Sequence, residues 1–181
     1  MREDMSWKVL STEYVHRRPW LTARRDVVEL PNGNINNEFY ILESPDFVNV
    51  VAVTKEGKML LVRQYRHAIR KTCFEIVAGV MEKGEEPLQA AKRELQEETG
   101  FGGGNWQLLM KICQNPGLID NYTYCYLATD VEKISEQHLD ATEDVEPYQF
   151  TKEEVREMLR KGEFLQALMV APLYKFFTLN N

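Results

Sequence analysis

Arg93, Glu94, Glu97 and Glu98 lie close together in the run Arg93-Glu94-Leu95-Gln96-Glu97-Glu98. On a helix of 3.6 residues per turn, Glu94 and Glu98 stand one above the other, with Glu97 beside them. Like charges at that spacing cost a few tenths of a kcal/mol per pair, so three carboxylates on one flank require a compensating cation. A hard divalent ion such as Mg2+ answers that need: it prefers oxygen ligands, keeps several waters, and is typically held by a few carboxylates together with substrate phosphates. An isolated Glu-x-x-Glu-Glu has a simpler reading as a solvated acidic helix face, because Glu is a good helix former. The surrounding residues decide between the two.

The elements that must position these side chains can be read from periodicity. Leu88, Ala91, Leu95 and Thr99 recur at intervals of three and four after Pro87, which is harmless in a first turn, and Gly100 is placed to end the helix in a left-handed conformation. The glutamates fall at the margin of that apolar stripe. Upstream, residues 25–43 read as two strands around Pro31-Asn32-Gly33-Asn34, and residues 48–54 and 59–65 as a hairpin around Lys55-Glu56-Gly57-Lys58. The near-continuous apolar run in 48–54 predicts a strand covered on both faces. Residues 73–78 form one more short strand and 79–86 a loop. Downstream, 106–114 and 122–128 read as strands joined through Asn115-Pro116-Gly117. Thr151 with Glu154 opens a helix that stops near Gly162, and 164–177 form a last helix with Pro172 inside it as a place to kink. Strands, helix, strands and terminal helices imply a mixed α/β sandwich.

With 181 residues, 44% of them apolar, and a formal charge of −6, the chain can bury a core and is neither disordered nor of low complexity. The acidic balance, with a pI near 5.2, argues against nucleic acid and anionic membranes as partners, while leaving room for a local basic pocket. Cys73, Cys113 and Cys125 are odd in number, dispersed and flanked by apolar residues, so they read as buried thiols in a reducing compartment and not as a disulfide framework or zinc set. Residues 1–8 alternate in charge, unlike a signal or transit peptide, and no apolar run approaches a membrane span. The expected location is cytoplasmic.

Gly79, Glu85, Arg93, Glu94, Leu95, Glu97, Glu98, Gly100 and Phe101 fit the pattern G-x5-E-x7-R-E-U-x-E-E-x-G-U, with U a bulky aliphatic or similar residue and Phe101 a mild variant. The sequence therefore resembles the Nudix hydrolases, which cut a nucleoside diphosphate joined to another moiety. The resemblance implies a Nudix α/β/α sandwich with a mixed sheet over residues 46–181, preceded by a small antiparallel β subdomain over residues 1–45. It also implies that Glu94 and Glu98 are the main Mg2+ ligands, with Mn2+ as a substitute ion, and that the carbonyl of Ala78 is a further ligand. Glu97 would be another ligand or order the attacking water, Arg93 would hold a glutamate in place, and Glu85 would tie the loop to the helix. Gly79 would let the backbone turn tightly.

Hydrolysis of a pyrophosphate needs cations on its phosphates and a base to generate the nucleophile. In several Nudix enzymes the base comes from a late loop. Glu143, in Thr142-Glu143-Asp144-Val145-Glu146, has that position here, with Glu146 as the alternative. Pro116 falls fifteen residues after Phe101, the spacing of the ADP-ribose pyrophosphatase subgroup. Arg63-Gln64-Tyr65-Arg66, Phe74-Glu75-Ile76 and Ala78-Gly79 resemble the same subgroup, with Val77 where proline is usual. Arg66 and Glu75 are carried over as phosphate and substrate contacts, the alternative being a salt bridge between neighbouring strands. Members of the subgroup exchange the N-terminal sheet across a homodimer and stack adenine on an aromatic from it; Trp20 is the first candidate and Tyr40 the second.

The resemblance thus implies hydrolysis of ADP-ribose to AMP and ribose 5-phosphate. GDP-mannose or another nucleoside diphosphate sugar is the alternative substrate. A Nudix-fold module that senses a nucleotide without cutting it is the alternative of another class, which the intact glutamates oppose.

Overall fold

The computed structural model describes residues 4–179. The chain forms two compact units, one running up to Pro45 and including Cys113–Asn121, the other comprising Asp46–Ile112 and the chain from Tyr122 onward.

The first unit is an antiparallel sheet of β1 (Lys8–Arg18), β2 (Leu21–Glu29) and β3 (Ile35–Glu43), in that order. Gly33, at φ 85°, turns the chain between β2 and β3 as the Pro-Asn-Gly-Asn signal predicts. Asp26 is buried in β2, where it accepts a hydrogen bond from Thr12 Oγ1 at 2.8 Å and faces Arg24 Nε at 3.4 Å. The segment 113–121 joins this sheet through a bridge between Leu42 and Ile119. Strand β1 goes unread in the sequence because all its residues are exposed, and a strand with no buried face has no apolar alternation to detect.

The second unit contains β4 (Phe47–Thr54), β5 (Met59–Arg66), β6 (Lys71–Glu75), β7 (Val77–Val80), α1 (Pro87–Thr99), β8 (Phe101–Gly102), β9 (Asn105–Ile112), β10 (Thr123–Lys133), β11 (Val145–Phe150), α2 (Lys152–Arg160) and α3 (Ala167–Leu179). The sheet order is β11-β5-β4-β10-β8, with β6 on β5, β7 on β4 and β9 on β10; β4 and β10 run parallel and the other pairs antiparallel. Strand β4 is covered on both sides, as its apolar run predicts. Val48, Val50 and Ala52 pack with Ala90, Ala91 and Leu95 of α1, while Val51 and Val53 pack with Val155, Leu173 and Phe176 of α2 and α3. Each valine, leucine or phenylalanine among them contributes about 1.5–3 kcal/mol when fully buried, and each alanine less. The result is a helix, a mixed sheet and a helix pair in three layers.

Residues 73–78 are not one strand: β6 ends at Glu75 and β7 begins at Val77, because the chain leaves β5 and takes β4 as its new partner at fully buried Ile76. Apolar continuity hides such a change of partner. Val145 and Glu146, expected in a late loop, instead begin β11, which runs to Phe150 on the outer side of β5; Pro147 disguises the strand, and it is tolerated there because an edge strand needs fewer ladder donors.

Gly100 ends α1 at φ 72°, its N–H bonded to Gln96 O at 2.7 Å. A complete capping box starts α2, with Thr151 Oγ1 accepting from Glu154 N and Glu154 Oε2 accepting from Thr151 N. Helix α3 begins at Ala167, later than predicted. Pro172 has no N–H to give Leu168 O, and Asn49 Nδ2, from the fully buried centre of β4, donates to that carbonyl at 2.7 Å instead. Cys73, Cys113 and Cys125 are free thiols; Cys73 and Cys125 are buried as expected, whereas Cys113, just past the end of β9, is only partly buried. Among the described residues no helix is long and apolar enough to cross a membrane.

Candidate active site

The cluster is assembled from β7, the loop after it, and α1. Arg93 uses every N–H of its guanidinium. Nε and Nη2 donate to the two oxygens of Glu85, each at 3.0 Å; Nη2 also reaches Val80 O at 3.0 Å, and Nη1 reaches Glu94 Oε1 at 2.8 Å and Glu97 Oε2 at 2.9 Å. Five donors in a rigid fork serve three carboxylates and a β7 carbonyl, an arrangement an ammonium cannot copy. Glu85 Oε2 also accepts from Glu82 N at 3.0 Å, closing the loop onto the helix. The Arg93 hydrogen bonds hold the Glu85 carboxyl below its ordinary range.

Gly79 lies in β7 with no left-handed φ, so it does not serve a tight turn as expected. Its role is space. A Cβ there would lie 2.0 Å from the Glu94 carboxyl carbon, so only glycine lets that carboxylate lie against the strand.

Glu98 is the inward-pointing member, 4% exposed, and its Oε2 is buried with no hydrogen-bond partner. Burial above all, then the charges of Glu94 and Glu143, push its carboxyl up to about 8, against a backbone hydrogen bond with Ala78 and the positive charge of Arg66. Burial also raises Glu94, opposed by Arg93. A buried carboxylate with an orphaned oxygen beside a second buried carboxylate is a donor set short of a cation. Among the described residues no three carboxylate, imidazole or thiol groups converge to close a coordination shell. Two carboxylates and a nearby peptide group suit an ion that completes its shell with water and phosphate oxygens.

Glu143 lies in the loop before β11, and its charge acts on both Glu94 and Glu98. Glu146 is engaged elsewhere: it sits on β11, accepts from Tyr148 Oη at 2.8 Å and faces Arg63 at 3.7 Å. The structure thus gathers Ala78, Arg93, Glu94, Glu97, Glu98 and Glu143, and does not gather Glu146.

Arg66 and Glu75 form an ion pair across β5 and β6, with Nε to Oε1 at 2.9 Å and Nη2 to Oε2; Gln64 Nε2 adds a third donor at 3.4 Å. Glu75 is buried, whereas Arg66 keeps 40% of its side chain exposed. Trp20 and Pro116 belong to the first unit. Trp20 is 90% exposed at the β1–β2 turn, Pro116 lies in the exposed 115–118 turn, and Tyr40 is half-exposed on β3.

Against the NUDIX domain family model the chain matches over residues 44–169. The chain belongs to the Nudix family. Residues 7–42 match the nucleoside diphosphate sugar hydrolase N-terminal domain. This Nudix chain is 38% identical over 166 residues to an ADP-ribose pyrophosphatase of Bacillus subtilis (strain 168), covering 91% of this chain and 89% of the relative. It is 34% identical over 155 residues to a methanol dehydrogenase activator of Bacillus methanolicus, covering 85% and 83%. The crystal structure of an ADP compounds hydrolase superposes with a TM-score of 0.85 at 22% identity, over 98% of this chain and 96% of that one, which shows a shared fold. The α/β/α sandwich preceded by an antiparallel sheet is therefore the Nudix fold the sequence implied, and the chain is a pyrophosphohydrolase.

Sequence reasoning missed Gln137, whose side-chain amide donates to Glu98 O at 2.7 Å and to Val145 O at 2.8 Å. Its partners are backbone carbonyls, which leave no mark in a sequence.

Proposed function

We propose that this Nudix hydrolase cleaves ADP-ribose to AMP and ribose 5-phosphate, with Mg2+ held by Glu94, Glu98 and the Ala78 carbonyl. The observation that carries the reading is the buried, unpartnered Glu98 oxygen next to Glu94 on one helix face. When bound, Mg2+, or Mn2+ in its place, neutralises non-bridging phosphate oxygens and acidifies water. Glu143 takes the proton from the attacking water, and Glu97, fixed through Arg93, orders that water. Arg66 meets a phosphate with its exposed side, and buried Glu75 acts by aiming it. Trp20 stacks on the base, an interaction worth on the order of 1–3 kcal/mol. The ADP-ribose reading is supported by the Pro116 spacing, by the match of residues 7–42, and by the Bacillus subtilis relative.

The protein works as a cytoplasmic homodimer. The exposed apolar side chains Trp7, Val9, Leu10 and Val15 beside and along β1 support a second copy as their cover. Sedimentation at micromolar concentration reads out the dimer, and a monomer there overturns it.

The test of the activity is a panel of ADP-ribose, other ADP-sugars, GDP-mannose and dinucleotides, each with and without Mg2+ or Mn2+, scored for released monophosphate. Faster metal-dependent release of AMP from ADP-ribose than of any other product is expected. Preferred GMP release moves the substrate to GDP-sugars, and no release from any compound overturns catalysis in favour of nucleotide sensing.

A further inference from the structure

A helix ends with carbonyls that have no partner within it. In α1 these are taken up, one after another, by a single stretch of chain. His138 N donates to Glu97 O at 2.9 Å, Gln137 Nε2 to Glu98 O at 2.7 Å, Lys133 Nζ to Thr99 O at 3.2 Å, and Ile134 N and Ser135 N to Gly100 O at 2.9 and 3.1 Å. The carbonyls of two cluster glutamates are therefore where residues 137–138 are attached. Gln137 does more than cap: its amide has two hydrogens, and the second goes to Val145 O at 2.8 Å, at the first residue of β11. One side chain thus ties both ends of the 138–145 loop to the turn of α1 that carries Glu97 and Glu98. Within the loop, Glu143 N donates to Asp140 O at 2.9 Å and Asp140 N to Glu143 Oε2 at 3.0 Å, so the turn that presents Glu143 is closed on itself.

We infer that Gln137 is the positioning residue for Glu143: it sets the base against the carboxylate cluster by joining the end of α1 to the start of β11. The inference rests on the proposed role of Glu143. A closed turn moves as a body, so losing the Gln137 bridge displaces the carboxylate without unfolding the turn. A displacement of about 1 Å at a reacting group costs on the order of a hundredfold in rate.

The experiment is a double-mutant cycle on ADP-ribose turnover with Mg2+, using Gln137→Met, which keeps length and packing but removes both donors, and Glu143→Gln. Gln137→Met is expected to lower kcat about tenfold to a hundredfold with KM and Mg2+ affinity unchanged, and to have no further effect in the Glu143→Gln background. Amide hydrogen exchange in residues 139–144 should speed up in Gln137→Met, with the melting temperature lowered by only a few degrees, the cost of about two hydrogen bonds. An unchanged kcat in Gln137→Met, while Glu143→Gln is crippled, overturns the inference and leaves the base assignment standing. An equal loss in both backgrounds also overturns it, since it shows a role that does not pass through Glu143. Normal turnover in Glu143→Gln defeats the base assignment itself.

Discussion

Glu85 and Glu98 stand at the two ends of one small structure, the loop before α1 and the last turn of that helix, and their carboxyls are driven in opposite directions. Glu85 meets the Arg93 fork and a backbone N–H and is held below its ordinary range. Glu98 is buried among other carboxylates, keeps an orphaned oxygen, and is pushed up to about 8. Arg93 spends its charge where the loop must be fixed and along Glu94 and Glu97, but makes no bond to Glu98. The difference separates a carboxylate that builds the site from one built into it and left wanting a cation.

The comparison breaks most visibly at Glu98. Glu98→Gln keeps the shape and removes the charge, so kcat should fall about a thousandfold, the equivalent of several kcal/mol of transition-state stabilisation. The fold should survive, because a neutral amide is cheaper to bury than a carboxylate. Steady-state kinetics with a melting curve checks both, and near-normal turnover would place Glu98 with Glu85 among purely structural carboxylates.

A second break comes from the other side of the cradle. In Gly79→Ala the new methyl group meets the Glu94 carboxyl, the movable end of a side chain, so Glu94 shifts and the backbone need not. Calorimetry should show weaker Mg2+ binding, and kcat should drop about a hundredfold with little change in melting temperature. Arg93→Lys sharpens the contrast by asking what the fork does: an ammonium cannot serve Glu85, Glu94, Glu97 and Val80 O together. A loss of about 1–3 kcal/mol in urea unfolding is expected, with kcat down roughly tenfold. A variant as stable as the parent would show that one ion pair suffices.

What was legible in the sequence follows from where each constraint acts. Glu94, Glu97, Glu98, Arg93 and Glu85 could be read because the chemistry restricts the residue types at those positions and one helix fixes their spacing. The central strand β4 could be read because burial on both faces leaves an unbroken apolar run. Strand β1 could not, having no buried face, and β11 was masked by Pro147. Gly79 was singled out for the wrong reason, since a close approach and a tight turn require the same residue. Gln137 and Asn49 were invisible for a shared cause: each acts on a main-chain carbonyl far along the chain, and any residue type can supply a carbonyl.

The smallest effect tests the electrostatic contrast with no substrate present. In the metal-free protein, Glu98 has a folded-state pKa of about 8 against an ordinary value of 4.5, so its stabilising contribution is intact below 4.5 and lost as pH rises through the folded value. Glu85 is depressed, so its contribution is present above the ordinary value and lost as pH falls below it. Stability should therefore decline on both flanks for different reasons, with the melting temperature falling by at most about 3–5 °C per pH unit between pH 5 and 8. Glu98→Gln should make only the alkaline flank shallower, leaving the share of Glu94, and Glu85→Gln only the acid flank, leaving the share of Glu154 and Glu157. Added Mg2+ should also flatten the alkaline flank in the parent, because a cation favours the ionised Glu98 that burial opposes. If Glu85→Gln instead removes the alkaline decline, the two carboxylates do not divide the work between them in the way the Arg93 fork implies.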